Sequence, residues 1–387
     1  MLIVLIFLLV LSVLVLIHEL GHYTAARIFG VKADEFGYGF PPRLIGLVKH
    51  NGKWKIVSGK DETQYENTIW SINWLPLGGF VRIKGENGEN ADKNEPDTFT
   101  AKPIWQRLII LAAGVTMNWL LAFVLFAFIF SMGATAILDG VPEGAVIENR
   151  EIRVTNLLPE APASKAGLEI GDRVLTVAGV AAENYEQARQ VIAEQQDQAF
   201  DIYIERAGEQ KTLSVQPEFI AQIDKYGIGV GLADVGKVKF TPAQSVYYGA
   251  QATWNYTIEV VKGFGILFRD IIFLRRVEQE VAGPIGIAVM TGQVAKQGIV
   301  PLLQFSAILS IHLAVINFLP IPALDGGRFL FLIIEKIRRK PVARNLEARI
   351  HQIAFISLIV LILLVTLRDI GKYGGAIWGG VKGLVGM

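Results

Sequence analysis

A long apolar run near the start of the chain limits what this sequence can fold into. In residues 2–17 the one polar residue is Ser12, and the apolar character resumes after His18 and Glu19. A helix rises about 1.5 Å per residue, so roughly 20 apolar residues cross the hydrocarbon core of a bilayer. A cleaved signal peptide would carry basic residues ahead of the run, whereas the first basic residue here is Arg27. We therefore predict a retained transmembrane helix over residues 1–30.

Three further apolar runs predict transmembrane helices at residues 105–133, 298–327 and 350–370. The fold class expected is thus a polytopic α-helical membrane protein with about four transmembrane helices. Hydrophobic residues make up 52% of the chain and the mean hydropathy is +0.40, which agrees with extensive contact with lipid. The net charge of +1 gives no reason to expect nucleic acid as a partner. The absence of cysteine excludes thiolate metal ligands.

The distribution of basic residues predicts the orientation in the membrane. The short loop 328–349 carries seven Lys and Arg residues, and the region 31–104 is also rich in them. The positive-inside rule places both on the cytoplasmic side. The amino terminus, the region between the second and third spans and the carboxyl terminus then lie outside.

The regions between the spans differ in character. Residues 31–104 are Gly-rich with apolar strand-like pieces, which predicts a β-hairpin or small sheet touching the membrane. Residues 143–235 read as a soluble α+β domain. Residues 240–297 are aromatic and amphipathic, which is typical of the membrane interface, and residues 371–387 are expected to form a Gly-rich tail. The strands predicted in the soluble domain are at 152–157, 173–178, 201–206 and 212–216.

The sequence His18-Glu19-Leu20-Gly21-His22 is an H-E-x-x-H motif. On a helix, positions i and i+4 share one face, so both imidazoles can bind one Zn²⁺. Glu19 lies beside them, where it can take a proton from water activated by the metal. The alternative is two polar histidines at a helix end. Ionisable groups inside a membrane span are costly and usually functional, which favours the metal site.

A catalytic zinc normally has three protein ligands, so a third must come from elsewhere in the chain. Asp325 is the candidate, because it follows the third span in a stretch with Pro320 and Pro322 before it and two glycines after it. Such an irregular backbone can present a carboxylate inside the protein. The alternative is a helix-terminating turn with a solvated Asp. The predicted topology brings the carboxyl ends of the first and third spans to the same side, which allows His18, His22 and Asp325 to meet.

The two motifs together resemble the site-2 protease family of intramembrane zinc metalloproteases. Further matching segments are PLGGFVRIKGE at 76–86, FTAKPIWQRLIILAAGVTMN at 99–118 and VAGPIGI at 281–287. The order is consistent from about residue 1 to 370, and the resemblance is strongest to the bacterial regulator-of-sigma-E protease branch.

This resemblance implies a set of roles and partners. His18, His22 and Asp325 would bind one Zn²⁺ per chain, Glu19 would be the general base, and Asn317 would help to hold substrate or the oxyanion. The β-region would pair with the substrate strand. The implied substrates are single-span membrane proteins, such as an anti-sigma factor already cut outside the membrane, or signal-peptide remnants, in contact with membrane lipid of a bacterial inner membrane. The substrate-binding residues implied are Pro76, Leu77, Gly78, Gly79 and Phe80.

Two features depart from the family pattern. Enterobacterial members carry two tandem PDZ domains, whereas residues 143–235 have room for one. That single domain is identified by SKAGLEIGDRVLTVAG, which resembles bacterial PDZ modules, and it could act as a size filter or bind a peptide along a strand edge. The glycine-proline pair of the second span is Gly114-Val115 here.

These observations predict hydrolysis of a peptide bond in a substrate helix that unwinds and lies as a strand along residues 69–84. A metal transporter is one alternative, and it predicts several metal sites along a path. A catalytically inactive membrane scaffold is another, and such proteins usually lose a ligand or the base. The chain keeps one complete site with Glu19, so the sequence favours the protease.

Overall fold

The computed structural model describes residues 2–61, 63–86, 95–139, 141, 144–158, 160–206, 208–220, 225–273 and 282–385. The chain forms two compact units, one of Met1–Phe126 with Gly249–Met387 and the other of Ala127–Tyr248. Parts of the predicted β-region (62 and 87–94) and of the predicted interfacial region (274–281) lie outside the described residues, as do residues 386–387 of the predicted tail.

The described residues contain nine α-helices, and four of them have segments long and apolar enough to cross a membrane. These segments are Leu2–Ile28, Ile104–Met132, Ile299–Phe318 and Asn345–Lys372. The helices are α1 (Leu2–Ile28), α2 (Ile104–Met132), α3 (Pro162–Lys165), α4 (Tyr185–Glu194), α5 (Pro242–Ile272), α6 (Pro284–Lys296), α7 (Ile299–Phe318), α8 (Asp325–Arg338) and α9 (Arg344–Val385).

Prolines mark several helix boundaries, as their chemistry requires. Pro103 immediately precedes α2, and Pro284 is the first residue of α6, a position where the missing N–H of proline costs nothing. Helix α7 ends at Phe318, shortly before Pro320, because the residue before a proline is pushed out of the helical region.

Helix α9 continues to Val385, so residues 371–385 extend the last helix where the sequence predicted a separate tail.

The described residues also contain eleven β-strands in three sheets. The strands are β1 (Ala33–His50), β2 (Lys53–Ser58), β3 (Ile69–Ile83), β4 (Ala134–Ile137), β5 (Val146–Leu157), β6 (Arg173–Val177), β7 (Phe200–Arg206), β8 (Glu209–Val215), β9 (Glu218–Ile220), β10 (Lys225–Gly227) and β11 (Val230–Lys239).

Strands β1, β2 and β3 form an antiparallel sheet in the order β2-β1-β3, so the predicted β-region is a small sheet rather than a lone hairpin. Both long strands fold back on themselves. Ser71, in the first half of β3, pairs with Gly37 on one side and with Gly46 on the other. Gly37 also pairs with Phe80, in the second half of β3. The second half of β3 is therefore an outer edge of the sheet, and the first half is enclosed.

The unit Ala127–Tyr248 contains a six-stranded antiparallel sheet in the order β4-β11-β5-β6-β7-β8. Helix α4 packs Ala188 and Ile192 into its core, and Asn184 caps this helix by accepting a 2.9 Å hydrogen bond from the N–H of Gln187. Such a side-chain acceptor satisfies an N–H that has no partner inside the helix. The predicted strands overlap β5, β6, β7 and β8. The remaining core is formed mainly by branched residues of those strands, including Val154, Val174, Ile202 and Ile204.

Candidate metal centre

Helix α1 presents His18 and His22 on one face, as the four-residue spacing requires. Both residues are buried, with 6% of their surface exposed. Their Nε2 atoms lie 3.1 Å apart, and the rings meet edge to face. Two imidazoles this close together could bind the same metal ion, as the sequence analysis predicts.

Asp325 completes the cluster as the first residue of α8. Its Oδ2 lies 2.9 Å from Nε2 of His18 and 3.3 Å from Nε2 of His22. Zinc bonds of about 2.0–2.1 Å place tetrahedral ligand atoms about 3.3–3.4 Å from one another, so the three atoms lie within about 0.5 Å of the spacing of tetrahedral zinc ligands. This is the one group of three or more potential metal ligands found among the described residues.

Helix α2 fixes the orientation of both imidazoles. Nδ1 of His22 donates a 2.8 Å hydrogen bond to the carbonyl oxygen of Ile110, which leaves Nε2 free to act as a ligand. The side-chain amide of Asn118 lies 3.4 Å from Nδ1 of His18. Asn118 is fully buried, and its Oδ1 has no hydrogen-bond partner among the described residues.

The unpartnered oxygen of Asn118 supports a metal-binding role for His18. Because the oxygen and nitrogen of an amide can be exchanged by rotation, Oδ1 of Asn118 can accept a hydrogen bond from Nδ1–H of His18. That tautomer puts the free lone pair on Nε2, where a metal would be. A metal-binding histidine usually donates its other ring N–H to an acceptor. The buried Oδ1 of Asn118 can be that acceptor for Nδ1–H of His18.

Gly114 allows α2 to approach the two histidines. A Cβ atom on Gly114 would lie 2.3 Å from Nε2 of His22 and 2.8 Å from Cε1 of His18. In the sequence, Gly114 is part of a departure from the family pattern, whereas Asn118 and Ile110 were not predicted to belong to the site. Their spacing was the available signal, because positions 110, 114 and 118 recur every four residues and lie on one face of a helix.

Glu19 is half-buried beside the histidines. Its Oε2 accepts a 3.1 Å hydrogen bond from the backbone N–H of Val81, on the outer edge of the small sheet. Glu19, His22 and Asp325 line a cavity of about 480 Å³. The other lining residues are Val81, Glu86, Ala323, Leu324, Arg328, His351, Gln352 and Phe355.

An ion pair lies at the same cavity. Arg328, in the first turn of α8, donates to the carboxylate of Glu86, which follows the end of β3. The Glu86 side chain is 15% exposed. The pair links the helix that carries Asp325 to the strand that contacts Glu19, so the two protein segments flanking the cavity are joined by charge as well as by packing.

The segment predicted to bind substrate lies in β3, next to α1. The N–H of Gly78 donates a 3.3 Å hydrogen bond to Oγ of Ser12, and a Cβ atom on Gly79 would lie 3.1 Å from the Leu16 side chain. Pro76 is exposed and Phe80 half-buried, while the Leu77 side chain lies outside the described residues.

Two details of the predicted substrate site differ in the structure. Residues 69–84 were expected to form one edge, but residues 70–72 pair on both sides and have no free edge to offer. The outer edge is limited to the second half of β3. Asn317 lies half-buried in the last turn of α7 and is not among the residues that line the cavity.

The fold and the site define a class of protein. Two histidines and an aspartate converge beside a glutamate, within a chain that has four bilayer-length helices and β-sheet regions. This combination is that of a membrane-embedded metalloendopeptidase.

Comparison with known sequences identifies the family. The chain matches Peptidase family M50 over residues 6–59 and 61–361, and it belongs to this family of site-2 proteases. It is 30% identical to the "Zinc metalloprotease RasP" of Geobacillus kaustophilus and 29% identical to the "Regulator of sigma-W protease RasP" of Bacillus subtilis. Each match covers 95% of this chain and 97% of the relative.

A solved structure also resembles part of the chain. It is the PDZ domain of the SdrC-like protein from Listeria monocytogenes, with 18% identity and a TM-score of 0.20, and it matches 21% of this chain and 86% of that one. A score of this size carries no argument about a shared fold.

Proposed function

We propose that this chain holds one Zn²⁺ through His18, His22 and Asp325 and hydrolyses a peptide bond in the transmembrane segment of single-span proteins. The observation that carries the proposal is the convergence of the three ligand atoms next to Glu19, with both histidines and Glu19 in a helix long enough to cross a bilayer. Membership of a peptidase family supports the reaction class.

Glu19 performs the proton transfers in this proposal. When bound, the zinc supplies Lewis acidity, which activates water and polarises the scissile carbonyl. Glu19 takes the proton of the attacking water and later delivers it to the leaving amine. Glu19 lines the same cavity as His22 and Asp325, which supports this role. Asn317 is assigned to oxyanion or substrate binding on the basis of the family resemblance.

The outer edge of β3 is the proposed binding surface for the substrate backbone. A peptide bond in a helix is hydrogen-bonded and hidden, so the substrate must unwind before it can be cut. An extended segment can pair with an exposed strand edge, and Val81 on this edge lies beside Glu19. Residues 76–80, which lead into this edge, are proposed to contact the unwound substrate.

Relatives and charge distribution suggest the substrate class and the topology. A relative is named a regulator of sigma-W protease, which supports an anti-sigma factor, cut first outside the membrane, as a substrate. Signal-peptide remnants have the same single-span form. The active site is proposed to face the cytoplasmic side of a bacterial membrane, with both termini outside. The unit that includes residues 143–235 is proposed to be a single extracytoplasmic PDZ domain that excludes substrates with large outer domains.

Co-expression with a tagged, outwardly truncated single-span substrate tests this function. We expect Glu19→Gln to retain zinc and to cleave about 10²–10⁴-fold more slowly than wild type, because proton transfer is lost while the ligands remain. Asp325→Ala should lose both zinc and cleavage. Equal cleavage by wild type and Glu19→Gln would contradict the mechanism. Zinc-free wild type that is inactive on several such substrates would favour a scaffold.

A further inference from the structure

The loop that delivers Asp325 has an unusual backbone. Between α7 and α8, Ala323 has a φ of 78°, in the left-handed region that residues other than glycine seldom adopt. Gly326 and Gly327 let the loop fold closely over the start of α8, because a Cβ atom on either would lie within 2.5 Å of a backbone oxygen of residues 318–321. The position of the Asp325 carboxylate therefore depends on how this loop is held.

A side chain from the last membrane helix holds the loop. The N–H of Ala323 donates a 2.8 Å hydrogen bond to Nδ1 of His351, in α9. The ring of His351 also packs against Phe331 of α8, with centroids 5.4 Å apart. The backbone hydrogen bonds from Ile321 to Leu319 and from Leu324 to Ile321 are local, so they shape the loop without tying it to another helix.

The hydrogen bond to Ala323 fixes which nitrogen of His351 matters. Because Nδ1 accepts, the proton of the neutral ring is on Nε2. Nε2 is buried without a hydrogen-bond partner among the described residues, and the nearby Glu347 carboxylate is 4.0 Å from it. His351 therefore contacts the loop that carries Asp325 through Nδ1, which accepts the hydrogen bond from Ala323.

The metal ligands differ in how they are supported. His18 and His22 lie in one helix, and Asn118 and Ile110 of α2 orient their rings. Asp325 comes from a distant part of the sequence, at the end of a loop with a disfavoured residue in it. A loop of this kind keeps its conformation only where the surrounding structure enforces it.

We propose that His351 is a positioning residue for the metal centre: by accepting from Ala323 it holds the left-handed loop that places the Asp325 carboxylate against the two histidines. The inference rests on the proposed zinc site and goes beyond it, because it makes α9 part of the support for metal binding. Outer partners of metal ligands commonly change metal affinity by about 10–100-fold when removed.

Three substitutions distinguish the role of Nδ1 from that of Nε2 in the His351 ring. In His351→Asn the amide oxygen can take the place of Nδ1, in His351→Gln the amide lies nearer to the place of Nε2, and His351→Leu has neither acceptor. His312→Leu is the matched control, since His312 is an exposed histidine of α7 bonded to the Ile308 carbonyl oxygen of its own helix. The full chain is purified in detergent, and zinc retention is measured against a chelator of known affinity, with thermal unfolding of the metal-free proteins alongside.

We expect His351→Leu and His351→Gln to bind zinc about 10-fold or more weakly than wild type. His351→Asn and His312→Leu should stay close to wild type, and the metal-free proteins should unfold at similar temperatures. Wild-type affinity in His351→Leu would overturn the proposal. If that variant does not fold, the Asn and Gln variants decide, and a Gln variant that binds as well as or better than the Asn variant overturns it.

Failure of the metal centre itself would look different. In that case wild type and Asp325→Ala would retain the same amount of zinc, and the inference about His351 would fail together with the proposed metal site. The inference fails alone if wild type binds zinc through Asp325 and the loss of the Nδ1 acceptor changes nothing.

Discussion

The backbone N–H of Val81 donates a 3.1 Å hydrogen bond to Oε2 of Glu19. The donor lies on the outer edge of β3, and the acceptor lies between the two histidines of the H-E-x-x-H motif. An edge strand offers its free N–H and C=O groups to another chain. The N–H of Val81 is itself taken by Glu19, so a substrate strand bound as proposed would pair with the neighbouring groups of this edge and would lie next to the proposed general base.

Removing this N–H should impair cleavage without removing the metal. An outward-facing N–H on an edge strand is not needed for the sheet, so proline is tolerated there better than in a central strand. We expect Val81→Pro to retain zinc and to cleave at least about 10-fold more slowly than Val81→Ala, which keeps the N–H. Cleavage by the proline variant at the rate of the alanine variant would show that the hydrogen bond from Val81 to Glu19 does not contribute to catalysis.

Gly114 should be essential for metal binding because of space. Alanine is favoured over glycine in a helix by about 1 kcal/mol, so helix propensity alone predicts that Gly114→Ala is harmless or stabilising. A Cβ atom there would instead lie 2.3 Å from Nε2 of His22, and we expect zinc binding to be lost. The control is Gly263→Ala in α5, where a Cβ atom meets nothing within 4 Å. Metal analysis of the two purified variants provides the comparison.

Asn118 should tune the affinity of the site through His18. Asn118→Leu keeps the approximate shape of the side chain and removes the acceptor for Nδ1–H. We expect zinc affinity to fall by about 10–100-fold, measured by competition with a chelator. Thr116→Val serves as the control, because Thr116 is an exposed residue of the same helix whose hydroxyl bonds to the carbonyl oxygen of Ala112. Equal affinity in both variants would remove Asn118 from the site.

A buried ion pair should make the stability of the Ala127–Tyr248 unit depend on pH. Asp172 is 2% exposed and accepts two hydrogen bonds of 2.7 Å from Arg206. Burial alone would raise the pKa of Asp172, but the hydrogen bonds from Arg206 and from the N–H of Glu169 outweigh it and hold the pKa below 3.8. A lowered pKa means that the pair stabilises the fold above pH 3.8 and that this contribution is lost as the pH falls through the folded-state pKa.

Arg206→Leu tests this pair, because it leaves a buried carboxylate without its partner at neutral pH. We expect the variant to lower the free energy of opening by about 3 kcal/mol at pH 7, measured by hydrogen exchange in β6 and β7 of the full chain. The difference from wild type should shrink below pH 3.8. Arg153→Leu, which removes a more exposed pair with Glu151, should cost no more than about 1 kcal/mol. A pH-independent loss would assign the effect of Arg206 to packing.

The sequence by itself determined the features that depend on residues close to one another along the chain. Apolar runs of bilayer length located the four spans, and the four-residue spacing of His18 and His22 placed both on one helix face, because helix geometry is set by near neighbours. The prolines and glycines around Asp325 indicated an irregular segment, because their backbone preferences act on their immediate neighbours. Alternation of apolar residues located four of the eight strands described in the Ala127–Tyr248 unit.

Only the tertiary structure decided which distant residues meet. Asp325 contacts His18 across 307 positions of sequence, and Ala323 takes its support from His351 in another helix. The face of α2 that carries Gly114 and Asn118 could equally have met lipid, because a span that is apolar on all sides does not specify its neighbours. The double pairing of β1 and β3, which makes the second half of β3 the outer edge beside Glu19, likewise depends on how two long strands fold back on each other. Strand periodicity alone does not determine that.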